Sequence, residues 1–279
     1  MYSKYTYYIY NVVLIVVLAL LPLNVVGQTY VTHEGLRYKV VEDADRVYLT
    51  APESGKYSGD IEIPHEFPKG SDDTYSIIGI DIDCFNGCTL SSVTFRTMPD
   101  FYFSTSCFEG CNITTLDLSY SNTTTFRYAN DCFKDCTIGN LIIGENSIDN
   151  TERAIWKQLS LATSIGTLTY KHTAGFFSFV TFKDFDFSTA TNVEAYYATT
   201  ASCDAPNTKL QLTKVTGKVL AGTPLFLYAA SNQGCTIPCC TTGATTLSDN
   251  CLKGEIAQSY KVTASDNIYA LSKSDKMLH

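Results

Sequence analysis

The chain has 279 residues, with 20 lysine and arginine residues against 28 aspartate and glutamate residues and a formal net charge of −8 at pH 7. A negative chain without a basic cluster is a poor ligand for nucleic acid and for anionic membrane surfaces, so no such partner is expected. The 19 tyrosines and 15 phenylalanines favour strands over helices.

Residues 1–27 have the features of an export signal. Lys4 is their only charged residue, and the apolar run Val12–Leu21 ends at Pro22, before Gly27. This run is shorter than the roughly 20 residues that a membrane-spanning helix needs. A charged start, a short apolar segment and small residues at the exit predict a cleavable signal peptide. The alternative is an uncleaved N-terminal anchor, and both would export the rest of the chain.

Residues 77–183 contain a repeat with two parts. Its first part is a five-residue Cys-Phe motif, which recurs after 23 and then 25 residues. The copies begin with Cys84, Phe85 and Cys88, with Cys107, Phe108 and Cys111, and with Cys132, Phe133 and Cys136. The second part is the pattern L-x-x-L-x-L, as in Leu90, Val93 and Phe95, and a fourth copy (Ile165, Leu168, Tyr170) lacks the Cys-Phe motif. Repeats of this length and pattern predict a leucine-rich solenoid.

The spacing also predicts how each coil is built. The last two apolar positions of each L-x-x-L-x-L motif alternate, so they point inward from a short strand. Strands of successive coils stack into a parallel sheet. We expect the Cys-Phe motifs to form single helical turns opposite this sheet, with their phenylalanines in a continuous spine. Three or four coils are close to the minimum for stability, so a capping module is expected at each end.

One short segment has helical periodicity. In Thr151–Leu161, the apolar residues Ala154, Ile155 and Leu159 fall on one helical face. We therefore predict a single amphipathic helix between the third and fourth copies of the strand motif.

These motifs resemble the BspA-like leucine-rich repeats of Bacteroidetes surface proteins. Cysteine takes the place of the family's alanine at Cys84, Cys107 and Cys132, and Asp135 takes the place of a glycine. The segments 35–40 and 56–64 resemble the family's N-terminal β-cap, which gives a cap over residues 28–76. The segments 186–188, 193–197 and 221–227 resemble a β-rich C-terminal module that is common in surface proteins of the same bacteria, which gives a module over residues 184–279. The resemblance implies adhesion to host proteins or to other bacteria.

The C-terminal module is predicted to contain several short strands in a sandwich-like arrangement. Lys209–Lys214 and Pro224–Ala229 are two of them, and alternation predicts that Leu210 and Leu212 point inward. A further strand, Ile268–Leu271, comes close to the last residue with no closing turn after it. This pattern favours a truncated sequence or a missing strand.

The cysteines of the repeats are interpreted as two ladders of buried thiols, because cysteine behaves as a small apolar residue in a protein core. Disulfides between coils are the alternative. One or two disulfides are plausible among the remaining cysteines, Cys203, Cys235, Cys239, Cys240 and Cys251. No metal or other cofactor is expected.

No catalytic motif accompanies these features. The four histidines, His33, His65, His172 and His279, are scattered, and no nucleophile elbow or phosphate-binding loop is present. The acidic pairs Asp72/Asp73 and Asp81/Asp83 are interpreted as solvated turn residues. Asp184 and Asp186 lie in the alternating run 182–187 and are interpreted as part of a half-exposed strand, with calcium binding as the alternative. We therefore expect a protein that is not an enzyme.

The predicted function is binding of extracellular proteins or glycans at the outer cell surface or after secretion. The candidate binding face consists of the strand positions between the inward-facing apolar residues: Ser92, Thr94, Thr115, Asp117, Asn140, Ile142, Thr167 and Thr169. The aromatic segments 101–103 and 176–177 are alternative binding sites. A structural spacer or assembly subunit is the second hypothesis, and an accessory domain of a secreted hydrolase is the third.

Overall fold

The computed structural model describes residues 28–41, 45–96, 100–119, 125–144, 154–171, 173–202 and 209–252. The predicted signal peptide, the strand Ile268–Leu271 and the C-terminal end of the chain lie outside these residues. One helix, α1 (Ala154–Ser160), falls within the predicted helical segment and buries Ile155 and Leu159. The strands are, in chain order, β1 (Tyr30–His33), β2 (Leu36–Val40), β3 (Arg46–Thr50), β4 (Ser58–Ile63), β5 (Glu66–Pro68), β6 (Thr74–Ile80), β7 (Thr89–Phe95), β8 (Asp100–Phe103), β9 (Asn112–Asp117), β10 (Thr125–Tyr128), β11 (Thr137–Gly144), β12 (Ser164–Lys171), β13 (Gly175–Val180), β14 (Phe185–Asp186), β15 (Val193–Ser202), β16 (Lys209–Val215), β17 (Lys218–Val219), β18 (Pro224–Ala229) and β19 (Cys235–Pro238).

The centre of the molecule is a β-solenoid of about four coils. One wall, here called the repeat sheet, has the strand order β19-β12-β11-β9-β7-β4, in which all neighbours are parallel except β19 and β12. The apolar positions of the strand motif face inward and are buried, as in Val93, Leu116, Leu141 and Leu168. The prediction of a mainly β repeat solenoid with hardly any helix is confirmed.

A second sheet, with both parallel and antiparallel pairs, forms on the other side of the coils and was not predicted. This opposite sheet has the order β1-β2-β3-β6-β8-β10, with β5 beside β6, and the pairs from β3 to β10 are parallel. Its inward residues include Ile80, Phe101 and Phe103, which are fully or almost fully buried. Three of the coils therefore run from an opposite-sheet strand through a Cys-Phe turn to a repeat-sheet strand, as in β8 to β9, whereas β12 follows the helix α1.

The Cys-Phe motifs form tight turns that connect the two sheets. In the first turn the Cys88 amide donates to the Phe85 carbonyl, the three-residue span of a 3₁₀ turn. The position before the second cysteine has a positive φ in all three copies: Gly87 (61°), Gly110 (67°) and Asp135 (57°). Glycine adopts this conformation without a steric penalty, whereas aspartate is one of the few other residues that tolerate it. The third turn therefore keeps the same shape although it has Asp135 where the first two turns have a glycine.

Stacked phenylalanines run through the turns as a spine. The Phe85 and Phe108 rings are 4.8 Å apart between centroids, and the Phe108 and Phe133 rings are 5.6 Å apart, both nearly parallel. All three are fully buried. Tyr57, the residue before β4, continues the spine with a centroid 5.4 Å from Phe85.

The C-terminal residues attach directly to the last coil. Strand β19 pairs antiparallel with β12, and the Cys239 amide donates to the Gly166 carbonyl at 2.9 Å. The Lys183 ammonium group donates to the carbonyls of Ser160, at 2.8 Å, and of Ala162, at the C-terminal end of α1. These contacts hold the C-terminal region against the solenoid both at its beginning, through Lys183, and near the end of its described part, through β19.

The rest of that region forms a four-stranded antiparallel sheet, β13-β18-β15-β16, and the strand pair β14-β17. Strand β18 matches the predicted Pro224–Ala229, and β16 extends the other predicted strand by one residue. The predicted inward orientation of Leu212 is wrong. Leu212 is 37% exposed, whereas Val215 of the same strand is buried. The side chain of Leu210 lies outside the described residues.

Candidate binding face

The eight candidate residues come together as two straight rows on the outer face of the repeat sheet. The strand register places Ser92, Thr115, Asn140 and Thr167 side by side, and likewise Thr94, Asp117, Ile142 and Thr169. All eight side chains are partly exposed. Adjacent strands are spaced about 4.8 Å apart, so each row is a regular array of side chains.

Two strands that were not assigned to the repeats extend both rows. Strand β4 adds Asp60 next to Ser92 and Glu62 next to Thr94, and β19 adds Pro238 next to Thr167 and Thr236 next to Thr169. In sequence, β4 preserves only the alternation of Ile61 and Ile63. That alternation was the available signal for β4, whereas nothing local distinguishes β19.

The polar side chains of the face bind mainly to one another. The Asn140 Oδ1 atom accepts hydrogen bonds from the hydroxyls of Thr167 (3.0 Å) and Thr169 (3.1 Å). The Ser92 hydroxyl donates to Asp60 at 2.7 Å. A face organised in this way presents a fixed pattern of hydroxyl, amide and carboxylate groups.

Two carboxylates of the face, Asp117 and Glu62, are paired with neighbouring cations. The ammonium group of Lys171 lies 3.8 Å from the Asp117 carboxylate and donates to the Ser119 hydroxyl at 2.7 Å. The guanidinium of Arg96 pairs with Glu62. The centre of the face is therefore close to neutral, although the chain as a whole is acidic.

The alternative aromatic sites are mostly part of the core. Phe101, Phe103 and Phe177 are buried, whereas Tyr102 and Phe176 are 39% and 48% exposed. Phe176 packs against Tyr228 on the C-terminal sheet, with ring centroids 4.8 Å apart. The segments 101–103 and 176–177 thus each contribute one exposed ring rather than an aromatic surface.

The repeat cysteines lie inside the solenoid as free, buried thiols. The Cys111 thiol donates to the Phe85 carbonyl at 2.8 Å, and the Cys136 thiol donates to the Phe108 carbonyl one coil further on. Burial raises the pKa of Cys84, Cys107 and Cys132. Such thiols are poor nucleophiles, because the thiolate is the reactive form.

The C-terminal cysteines in the described residues are also free. Cys235 is buried, Cys239 and Cys240 are half-buried, and Cys251 is exposed. Burial raises the pKa of Cys235 to about 11 and that of Cys239 to about 12. Cys203 lies outside the described residues.

The acidic pair Asp184 and Asp186 has internal partners. Asp184 accepts a hydrogen bond from the Ala221 amide, and Asp186 accepts from both the amide and the hydroxyl of Ser188. The bonds from Ser188 lower the pKa of Asp186. Within the described ranges, no group of three or more histidine, cysteine or acidic side chains is arranged to hold a metal ion.

Comparison with known proteins does not assign a function, so the functional argument rests on this geometry. No family model matches the chain, and no curated protein or solved structure is significantly similar to it. Among the residues that the structure describes, no helix has the length and apolar character needed to cross a membrane.

Proposed function

We propose that the protein is a non-enzymatic, BspA-like leucine-rich-repeat protein that binds extracellular proteins or glycans through the two rows of the repeat sheet. Its place of action is the outer cell surface or the medium, and its partners are host matrix components or other bacteria. The predicted export signal, the repeat motif and the family resemblance support this proposal.

The observation that most directly favours binding is the register of the two rows. Four successive strands place hydroxyl, amide and carboxylate groups at a fixed spacing on one exposed face. Solenoids use extended faces of this kind to bind proteins. Hydrogen-bonding groups that the fold already holds in place lose little conformational entropy when a ligand binds.

A binding array with a matched control variant tests the proposal. The purified protein is applied to extracellular-matrix proteins, mucins and glycans, beside a variant with Thr94, Asp117 and Thr169 changed to lysine. The control variant has Ser71→Lys, Asp72→Lys and Thr241→Lys, which make the same change in net charge at exposed positions away from the face.

We expect saturable binding that the face variant loses and the control variant retains. Both variants must unfold at temperatures close to that of the parent, because Asp117→Lys also removes the ion pair with Lys171. Equal binding by both variants would contradict the proposed location of the site.

A structural spacer is the second candidate function, and two observations favour it. Five of the seven polar side chains of the face already have partners in or beside the sheet, namely Ser92, Asp117, Asn140, Thr167 and Thr169. No aromatic or arginine anchor of the kind common in binding hot spots is among the eight residues. In addition, β19 and Lys183 fix the C-terminal region to the end of the solenoid. A chain that binds nothing on the array, and whose removal alters display of a larger surface assembly, would support the spacer.

A further inference from the structure

The repeat sheet ends at β4, whose second edge has no strand beside it in the part of the chain that the structure describes. Strand β4 pairs only with β7 among the described strands, in parallel register from Ser58 to Ile63. An edge of this kind offers main-chain donors and acceptors to another chain. We propose that the β4 edge binds an extended peptide segment with lysine or arginine at alternate positions, as an added strand.

The register shows which main-chain groups face the edge. The Ile63 carbonyl accepts a hydrogen bond from the Arg96 amide at 2.9 Å, so the main chain of Ile63 points toward β7. Main-chain groups alternate in direction along a strand, so Ile61 also points toward β7. The N–H and C=O groups of Asp60 and Glu62 therefore point to the open side.

The side chains of the same two residues define the partner's chemistry. Asp60 and Glu62 are exposed on the outer face of the sheet, whereas Ile61 is 6% exposed and Ile63 is fully buried. Glu62 already pairs with the guanidinium of Arg96, whereas no cation among the described residues pairs with Asp60. In an added strand, every second residue would stand beside Asp60 or Glu62. A cation there is favoured beside Asp60 and can share the Glu62 carboxylate with Arg96, whereas a carboxylate is disfavoured at both positions. The residues between them would lie on the inner side of the sheet, near the already buried Ile61 and Ile63, where a charged side chain is disfavoured.

A second copy of the chain is the less favourable occupant. Pairing two β4 edges would bring the Asp60 and Glu62 carboxylates of both copies together, four negative charges against the two Arg96 guanidinium groups, and like charges on adjacent strands destabilise a sheet. The acidic side chains therefore select against self-association and for a basic segment. This edge differs from the two-row face, and the inference does not depend on whether that face binds a ligand.

The probe is a fluorescein-labelled hexapeptide that alternates lysine and valine, titrated with the full chain while fluorescence anisotropy is recorded. We expect saturable binding that weakens by about tenfold or more in the Asp60→Asn/Glu62→Gln variant. The control variant Asp72→Asn/Asp73→Asn, which removes two exposed charges elsewhere, should bind like the parent. A peptide that alternates glutamate and valine should not bind.

Main-chain pairing is tested by changing the peptide rather than the protein, so a loss of binding cannot result from misfolding of the protein. Methylating the backbone nitrogens of the lysines in one peptide and of the valines in another removes alternate donors. We expect one of the two peptides to lose binding and the other to retain it, since only alternate amides of an added strand face its neighbour.

Hydrogen exchange gives an independent measurement on the protein. Bound peptide should slow exchange at the amides of Asp60 and Glu62 and leave the Ile61 amide, which already faces β7, unchanged. Equal binding of both methylated peptides, binding that survives loss of the two carboxylates, or no binding of the basic peptide would each overturn the proposal.

Discussion

Replacing Phe108 with alanine should destabilise the protein more than any other single truncation in the turns. Phe108 is fully buried and stacks on both sides, with Phe85 at 4.8 Å and Phe133 at 5.6 Å between ring centroids. A buried phenylalanine removes at least about 150 Å² of surface from water, which at about 25 cal/mol per Å² is worth about 4 kcal/mol. The surrounding side chains relax only partly into the space left by the ring, so a cavity remains, and truncations of this kind cost about 3–5 kcal/mol.

The loss should appear in both urea and thermal unfolding. In a chain of this size, 1 kcal/mol corresponds to a shift of about 2–4 °C in the unfolding temperature, so we expect a decrease of about 8–16 °C. Phe176→Ala is the matched control, because that ring is 48% exposed, and it should cost well under half as much. A Phe108→Ala variant within about 1 kcal/mol of the parent would refute the stacked spine as a source of stability.

Three further predictions concern polar and backbone features of the fold. Lys183→Met should lower the free energy of unfolding, measured in urea, by about 1–3 kcal/mol, because it leaves the carbonyls of Ser160 and Ala162 without their ammonium donor. The control, Lys157→Met at an exposed position of α1, should be nearly neutral. Equal effects of the two changes would refute the capping role of Lys183. Asp135→Gly should raise the free energy of unfolding by about 0.5–1 kcal/mol, because φ is +57° at this position and glycine adopts that conformation without steric strain. A loss of stability would show that the contacts of the aspartate side chain outweigh the strain that glycine removes. Unfolding under reducing conditions should become easier above pH 9, because five repeat thiols have a raised pKa only in the folded state. The neutral thiols favour the folded state fully below the unfolded pKa of 9.0, and this stability is lost as the pH rises beyond it, by about 3 kcal/mol per pH unit near pH 9. Urea midpoints that stay constant from pH 7.5 to about 10 would contradict this account.

The sequence by itself determined the coils, because the information for them is local and repeated. The pattern L-x-x-L-x-L specifies which residues of each strand face inward, and the similar intervals between copies specify that these strands stack. The same intervals align Phe85, Phe108 and Phe133, so the spine follows from counting residues. The eight positions of the two rows are then the remaining, outward positions of the same strands.

Tertiary structure alone decided where the sheets begin and end. Strand β19 joins β12 across about 65 residues of chain, as in the pairing of Tyr170 with Cys235, and no local pattern encodes such a contact. Strand β4 lacks the Cys-Phe motif, yet it stacks on β7 because Ile61 and Ile63 complete the end of the core.

The orientation of Leu212 illustrates the same limit. Alternation in β16 defines two faces but not which of them is buried. Packing against the rest of the C-terminal region decides that question, and it buries Val215 while leaving Leu212 partly exposed. A strand's own residues determine its period, whereas its inner face is determined by the elements that cover it.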